Sequence, residues 1–173
     1  AEHFEERIRG EYWRPRDVVI KTGISGDTTD GILRDFDRRV AEFKPQVVSV
    51  MIGMNDARRG SDKKEEFREN LTSLVKRIRS IGAIPILNTL NMIQFEKVPI
   101  QAETEACSDI VREVGEAEGV ITVDHWRWWE VNCTTPEILN DWLNDPIHPN
   151  GLGHRHFAIE FFKRLDMYDE KSP

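Results

Sequence analysis

Short runs of β-branched residues alternate along this chain with longer stretches in which apolar residues recur every three or four positions. The clearest run covers residues 47–52 and leads into a glycine- and asparagine-containing loop at residues 53–56. Similar runs cover residues 17–21, 84–87 and 120–123. Strands joined by helices of these lengths form right-handed crossovers and hence a mostly parallel sheet. The alternation therefore predicts an α/β fold, a three-layer α/β/α sandwich.

Helical periodicity fills the stretches between these runs. The predicted helices cover about residues 4–12, 29–43, 62–81, 102–117 and 150–165, with a short helix that opens at Thr135-Pro136. Asp62 and Glu65 have the spacing of a capping box, and Asn150 is a good cap for the last helix. In such open sheets a binding site lies at the carboxyl ends of the strands, so functional residues are expected there.

Composition excludes several classes of protein. The 173 residues carry 24 Lys and Arg against 31 Asp and Glu, and a net charge of -7 disfavours a nucleic-acid partner. No apolar stretch reaches the roughly 18 residues of a membrane span. Cys107 and Cys133 lie too far apart for a CxxC metal or redox site, and they leave the compartment, cytoplasmic or secreted, open. We expect one domain over residues 1–173, of unknown oligomeric state.

Asp145 and His148 form the most specific candidate for a catalytic site. They lie three residues apart in a proline-rich turn, so the carboxylate and the imidazole can face each other. Such a pair acts as a general base, because the carboxylate orients the ring and stabilises its charged form. The alternative is a carboxylate that caps the loop beside a surface histidine. The two readings are about equally consistent with this short motif.

Gly26 and Asn55 follow the first and second predicted strands. The backbone N–H of Gly26 and the carboxamide of Asn55 could both donate to the oxyanion that develops during acyl transfer. The alternative is structural, with Gly26 adopting a positive φ and Asn55 capping a turn. Their joint location at strand ends favours the functional interpretation.

Taken together, these segments resemble the SGNH hydrolases, also called the GDSL esterase and lipase family. Gly23-Ile24-Ser25-Gly26-Asp27-Thr28-Thr29 resembles the second family block, Gly53-Met54-Asn55-Asp56 the third, and Asp145 with His148 in DPIHPNGLGH the fifth. The resemblance implies a flavodoxin-like sandwich, and hydrolysis of small-molecule or carbohydrate esters through a serine acyl-enzyme. It implies no metal and no other cofactor. The charged segment at residues 57–62 fits a polar substrate, such as an acetylated sugar, better than a long-chain lipid.

The first family block, a Gly-Asp-Ser motif that supplies the nucleophile, is not in this sequence. We expect the nucleophilic serine at the end of a strand that precedes Ala1. Ser25, in Gly-Ile-Ser-Gly-Asp, is a weaker candidate because Asp27 stands where a nucleophile elbow has glycine. Reading Gly26-Asp27-Thr28 as the first block is also disfavoured, since no second block would then separate it from Gly53.

Three further alternatives remain open. A missing nucleophile also fits a non-catalytic carbohydrate- or ligand-binding protein of the same fold. His154 and His156 could suggest a metal cluster with His148, but residues two apart point to different sides of a helix. The aromatic run at residues 125–129 could stack on a sugar ring, although packing in the core is the commoner role.

Overall fold

A three-stranded parallel sheet lies at the centre of the computed structural model, which describes residues 2–94 and 96–171. The central strand β2 (Ile84–Asn88) pairs with β1 (Val47–Met51) on one side and β3 (Ile121–Val123) on the other. Both pairings are parallel, with Val50 opposite Leu87 and Asn88 opposite Val123. The α/β class and the parallel sheet predicted from the sequence are confirmed.

Helices follow each strand and precede the first one. In the described part of the chain they are α1 (Glu2–Gly10), α2 (Thr29–Arg34), α3 (Phe36–Arg39), α4 (Met54–Ala57), α5 (Lys64–Ser80), α6 (Gln101–Ala117), α7 (His125–Asn132), α8 (Pro136–Trp142) and α9 (Gly151–Arg164). Short 3-10 turns cover Ala41–Phe43 and Ser61–Lys63. No helix in residues 2–94 and 96–171 has the length and apolarity that a membrane span requires.

The helices cover the sheet from two sides. α5 and α6 pack on one face, where Leu71, Leu74 and Val111 join Val50 and Leu87 in the main core. α9 packs against β3 from the other side and carries α1 on its outer surface, where Phe4 stacks on Phe162. This layered arrangement leaves the carboxyl ends of the strands at one edge of the sheet, as predicted.

The predicted strand at residues 17–21 is wrong. These residues are not in a strand, and Val18 and Ile20 are 73% and 47% exposed. A β-strand is stabilised by hydrogen bonds to a neighbouring strand, and no described residue supplies that neighbour. β1 is likewise an edge strand, and the side chains of Val47 and Met51 are 51% and 39% exposed. Apolar side chains are therefore exposed both at residues 17–21 and on β1.

Other boundaries differ from the prediction for local reasons. The helix predicted over residues 29–43 is interrupted at Asp35, where φ is -101° and ψ is 13°. Arg77 donates to the Leu33 carbonyl, which a continuous helix would pair with the amide four residues later. The capping box is also wrong, because α5 begins at Lys64 without a side-chain cap. α7 was not predicted, although Asp124 caps it by accepting from the Arg127 amide.

His125 is buried at the start of α7 within a polar network. Its Nε2 lies 3.2 Å from Asn88 Oδ1, while Asn88 Nδ2 donates to Ser49 Oγ and to the Val50 carbonyl. Because both amide hydrogens of Asn88 are used, its oxygen must accept, so His125 carries its proton on Nε2. The ring is 1% exposed, and this burial lowers its pKa to about 4.

We predict that the chain loses stability in mild acid because of His125. The folded state resists protonation of this ring, whereas the unfolded chain binds a proton near pH 6.5. The contribution of His125 to the free energy of unfolding is therefore fully present above that pH and is lost as the pH falls toward 4. The free energy of unfolding should fall by about 2 kcal/mol between pH 7.5 and pH 5 through this group. Denaturant unfolding at the two pH values measures the loss. The His125→Gln variant should show a correspondingly smaller loss, and an equal loss in that variant would rule His125 out as the cause.

Candidate active site

Asn55 is positioned by a glycine at the end of β1. Gly53 has a φ of 133°, and a Cβ atom at this position would lie 3.1 Å from Phe67 Cζ, so both the backbone conformation and the packing require glycine. The turn at Gly53 starts α4 directly after the strand. Asn55 Nδ2 then donates to the Asp27 carbonyl at 3.0 Å. The carboxamide has a second hydrogen that is not engaged by any described residue.

Gly26 lies in the loop that Asn55 contacts. Its φ is 78°, which aids the turn where the Asp27 amide donates to the Ile24 carbonyl. Arg39 also stabilises this loop, because its guanidinium binds the Asp27 carboxylate and donates to the Thr22 carbonyl at 2.9 Å. Asn55 therefore contacts the loop of Gly26 at the next residue, Asp27.

Asp145 and His148 face each other across a tight turn. Asp145 Oδ2 lies 2.7 Å from His148 Nδ1, while Oδ1 accepts from the amides of Ile147 and His148 at 2.9 Å each. The Ile147 amide, the His148 ring and the His148 amide together hold the pKa of Asp145 at about 2. The carboxylate is thus ionised and its partner ring is oriented, with Nε2 on the far side. The His148 side chain is 66% exposed and hence accessible to a substrate.

Asn91, which sequence reasoning did not select, ties this turn to the sheet. It follows β2, is 5% exposed, and donates through Nδ2 to the Ile147 carbonyl at 3.0 Å. The Gln94 amide donates to the Pro146 carbonyl at 2.9 Å beside it. The only signal in the sequence was its position after a predicted strand. The turn that carries Asp145 and His148 is therefore held at the end of β2, the neighbour of the strand β1 that leads to Asn55.

Asn150 supports the same turn from the C-terminal side. Its Oδ1 accepts from the amides of Leu152 and Gly153 and so caps α9, as predicted. Its Nδ2 donates to the Asp141 carbonyl at 2.7 Å, which links α9 to α8. The segment between these helices is closed by an antiparallel bridge between Leu143 and Pro149.

The other candidates, His154, His156 and the aromatic run at residues 125–129, pack mainly against other side chains. His156 packs against both Trp128 and Trp142, and His154 contacts Phe157. No cluster of three or more His, Cys, Asp or Glu suited to a metal occurs in the described part of the chain. The core interpretation of the aromatic run applies to Trp126 and Trp129, which are at most 2% exposed, whereas Trp128 is only partly buried.

A nucleophile is not evident beside His148. Across residues 2–94 and 96–171, no serine hydroxyl is hydrogen bonded to its ring. Ser25 is exposed in the turn before Gly26 and has no such contact. Burial raises the pKa of the Cys107 and Cys133 thiols to about 12, so neither supplies a thiolate near neutral pH.

The sequence model of the GDSL-like Lipase/Acylhydrolase family matches residues 1–156. The chain belongs to this family. An acetylxylan esterase of Geobacillus stearothermophilus is 28% identical, over 85% of this chain and 71% of its own length. Esterase TesA of Pseudomonas aeruginosa is 36% identical over a shorter stretch, which covers 40% of this chain and 34% of the esterase. Family membership and these relatives support an ester hydrolase.

Solved structures of an esterase and of another hydrolase have the same fold. Axe2, the acetylxylan esterase of Geobacillus stearothermophilus, superposes with a TM-score of 0.73 and 26% identity, over 85% of this chain and 71% of Axe2. LAE5, an α/β hydrolase from the metagenome of Lake Arreo, superposes with a TM-score of 0.80 and 25% identity, over 95% of this chain and 79% of LAE5. The flavodoxin-like sandwich expected from the resemblance agrees with these likenesses.

Replacement of His148 should raise the pKa of Asp145 only part of the way to its ordinary value. In the His148→Ala variant the carboxylate loses one of its partners but keeps the Ile147 and His148 amides. The pKa should therefore rise above the wild-type value of about 2 and stay below the ordinary 3.8. A pH titration of the Asp145 carboxyl carbon by NMR measures both values. A wild-type pKa at 3.8 would contradict the geometry of this pair.

Proposed function

We propose that the protein is a serine esterase that hydrolyses carboxylic esters, such as acetyl esters of carbohydrates, through an acyl-enzyme. The observation that carries the proposal is the 2.7 Å contact between Asp145 Oδ2 and His148 Nδ1. It directs Nε2 of an accessible imidazole outward, which is the arrangement that a general base requires. In this mechanism His148 takes the proton of the attacking serine and returns it to the leaving alcohol, while Asp145 orients the ring.

The oxyanion of the tetrahedral intermediate is bound by the Gly26 amide and Asn55 Nδ2. The support is geometric, because Asn55 already contacts the Gly26 loop through the Asp27 carbonyl and keeps one N–H for the substrate. Donors that are fixed before the reaction stabilise developing charge without having to reorganise. Asn55 follows β1 and holds the Gly26 loop through the Asp27 carbonyl, and the acid–base pair is tied to the end of β2, so these groups share one edge of the sheet.

The nucleophile in this proposal is a serine N-terminal to Ala1, at the end of a strand that pairs with β1. Two features of the structure support it. The outer edge of β1 has no partner among the described residues, and Val18 and Ile20, in the segment predicted as a strand, are exposed. A strand paired with β1 would satisfy the open backbone groups of this edge. Its carboxyl end would lie at the same edge of the sheet as Asn55.

Carbohydrate acetyl esters are the proposed substrate class for two reasons. The relatives include an acetylxylan esterase, and Axe2 is described as an acetyl-xylooligosaccharide esterase. The segment beside Asn55 is polar, because Arg58 and Arg59 are exposed and Arg59 pairs with Glu66 at 3.1 Å. A charged rim of this kind suits a sugar better than a long acyl chain.

Fluorophosphonate labelling of the natural full-length polypeptide tests the proposal. The reagent attaches to an activated serine, and peptide mapping locates it without knowledge of the substrate. We expect one label on a serine before Ala1, a label that is lost in the His148→Ala variant and retained in Ser25→Ala. A label on Ser25 would move the nucleophile into this chain. A folded, full-length polypeptide that takes no label would contradict the proposal and favour a ligand-binding protein.

Removal of the Asn55 carboxamide should lower turnover. The Asn55→Ala variant loses one preorganised oxyanion donor, so kcat for p-nitrophenyl acetate should fall about a hundredfold while KM changes little. Asp37→Asn, an exchange on an exposed carboxylate that pairs with Arg77, serves as the control. Equal kcat values in Asn55→Ala and the wild type would remove Asn55 from the mechanism.

A further inference from the structure

Asp56, next to Asn55 in α4, is a buried carboxylate that forms no direct ion pair with a described residue. It is 4% exposed, and no ion pair within the described residues includes it. Burial raises the pKa of this carboxyl above its usual value, which reflects the cost of holding the charge away from water. A group of this kind persists in a core only when hydrogen bonds satisfy it.

Among the described residues, the hydrogen bonds that the Asp56 carboxylate accepts from other residues all come from Thr29. Its Oδ1 accepts from the Thr29 hydroxyl at 2.6 Å and from the Thr29 amide at 3.1 Å, and its Oδ2 lies 3.3 Å from the same amide. Thr29 is fully buried, and its hydroxyl also accepts from Asn70 Nδ2 at 3.3 Å. A carboxylate can accept all these bonds at once, since both of its oxygens are acceptors.

Thr29 is the first residue of α2, three positions after Gly26. Two consecutive residues of α4 therefore hold the same loop, Asn55 at the Asp27 carbonyl and Asp56 at Thr29. Since both contacts start from one short helix, they fix the Gly26 amide relative to the Asn55 carboxamide. Small errors in such a separation are costly, because oxyanion donors must lie about 3 Å from the developing charge.

We infer that Asp56 is a positioning residue for catalysis, which sets the geometry of the oxyanion hole by fastening Thr29 and the Gly26 loop to α4. The inference rests on the proposed function. Asp56 does not touch the substrate in this role. It acts through Thr29, and its removal should affect the transition state more than substrate binding.

Two variants test the role of Asp56 on the full-length polypeptide. Asp56→Asn keeps the shape but removes the charge and one acceptor oxygen, and Thr29→Val removes the hydroxyl that donates to Asp56. Each should lower kcat for p-nitrophenyl acetate about tenfold or more, with KM within about twofold of the wild-type value. Thr29→Ser retains the hydroxyl and should restore kcat to within about threefold of the wild-type value. Asp37→Asn is the matched control, because it makes the same chemical change on an exposed residue.

Amide hydrogen exchange of residues 22–29 gives a readout that does not depend on activity. Exchange should be faster in Asp56→Asn and Thr29→Val than in the wild type, while peptides from α5 and α6 exchange at wild-type rates. Unchanged loop exchange would overturn the inference whether or not the chain is an esterase. Faster exchange with wild-type kcat would also overturn it, since the loop would then be loosened without effect on catalysis. Failure of the proposed function is separate, because it appears as a wild-type polypeptide that takes no fluorophosphonate label.

Discussion

The parallel pairing of β2 with both of its neighbours determines where the candidate site can form. Because all three strands run in the same direction, their carboxyl ends meet at one edge, and the residues that follow them share that edge. Asn55 follows β1, and Asn91 follows β2 and holds the Ile147 carbonyl. An antiparallel neighbour would have sent one of these segments to the opposite edge. The sheet therefore places toward one edge two polar groups that are 90 residues apart in sequence, Asn55 and Asp145.

The groups at this edge are held in place by hydrogen bonds that form on folding. Asp145 is exposed yet strongly ionised because two backbone amides and a ring bind its oxygens. Asp56 is buried and binds Thr29, and Arg39 pairs with Asp27. Each side chain thus has its orientation set by a partner other than substrate. In the proposed mechanism such preorganisation lowers the barrier, since few groups need to move when charge develops.

The parts of the structure that depend on local chemistry could be predicted from the sequence, and the parts that depend on distant partners could not. The caps at Thr135 and Asn150 and the contact between Asp145 and His148 arise within a few residues, so the residue types indicate them. The strand at residues 17–21 was wrong because β-branched composition cannot supply a neighbouring strand. The contacts of Asn91 and Asp56 were not predicted for a similar reason. Their partners, Ile147 and Thr29, are distant in sequence, and only the fold brings them close.

The outer edge of β1, which has no partner strand among the described residues, bears on both the sheet and the candidate site. Val47 and Met51 on β1, together with Val18 and Ile20, present apolar surface that is costly to leave in water. The contact between Asp145 and His148 and the contact between Asn55 and the Asp27 carbonyl form without any described residue on that side. A strand that paired with this edge would gain stability from backbone hydrogen bonds and from burial of these side chains. The same pairing would place the residue at its carboxyl end beside Asn55, so that in the proposed enzyme one interaction both closes the sheet and delivers the nucleophile.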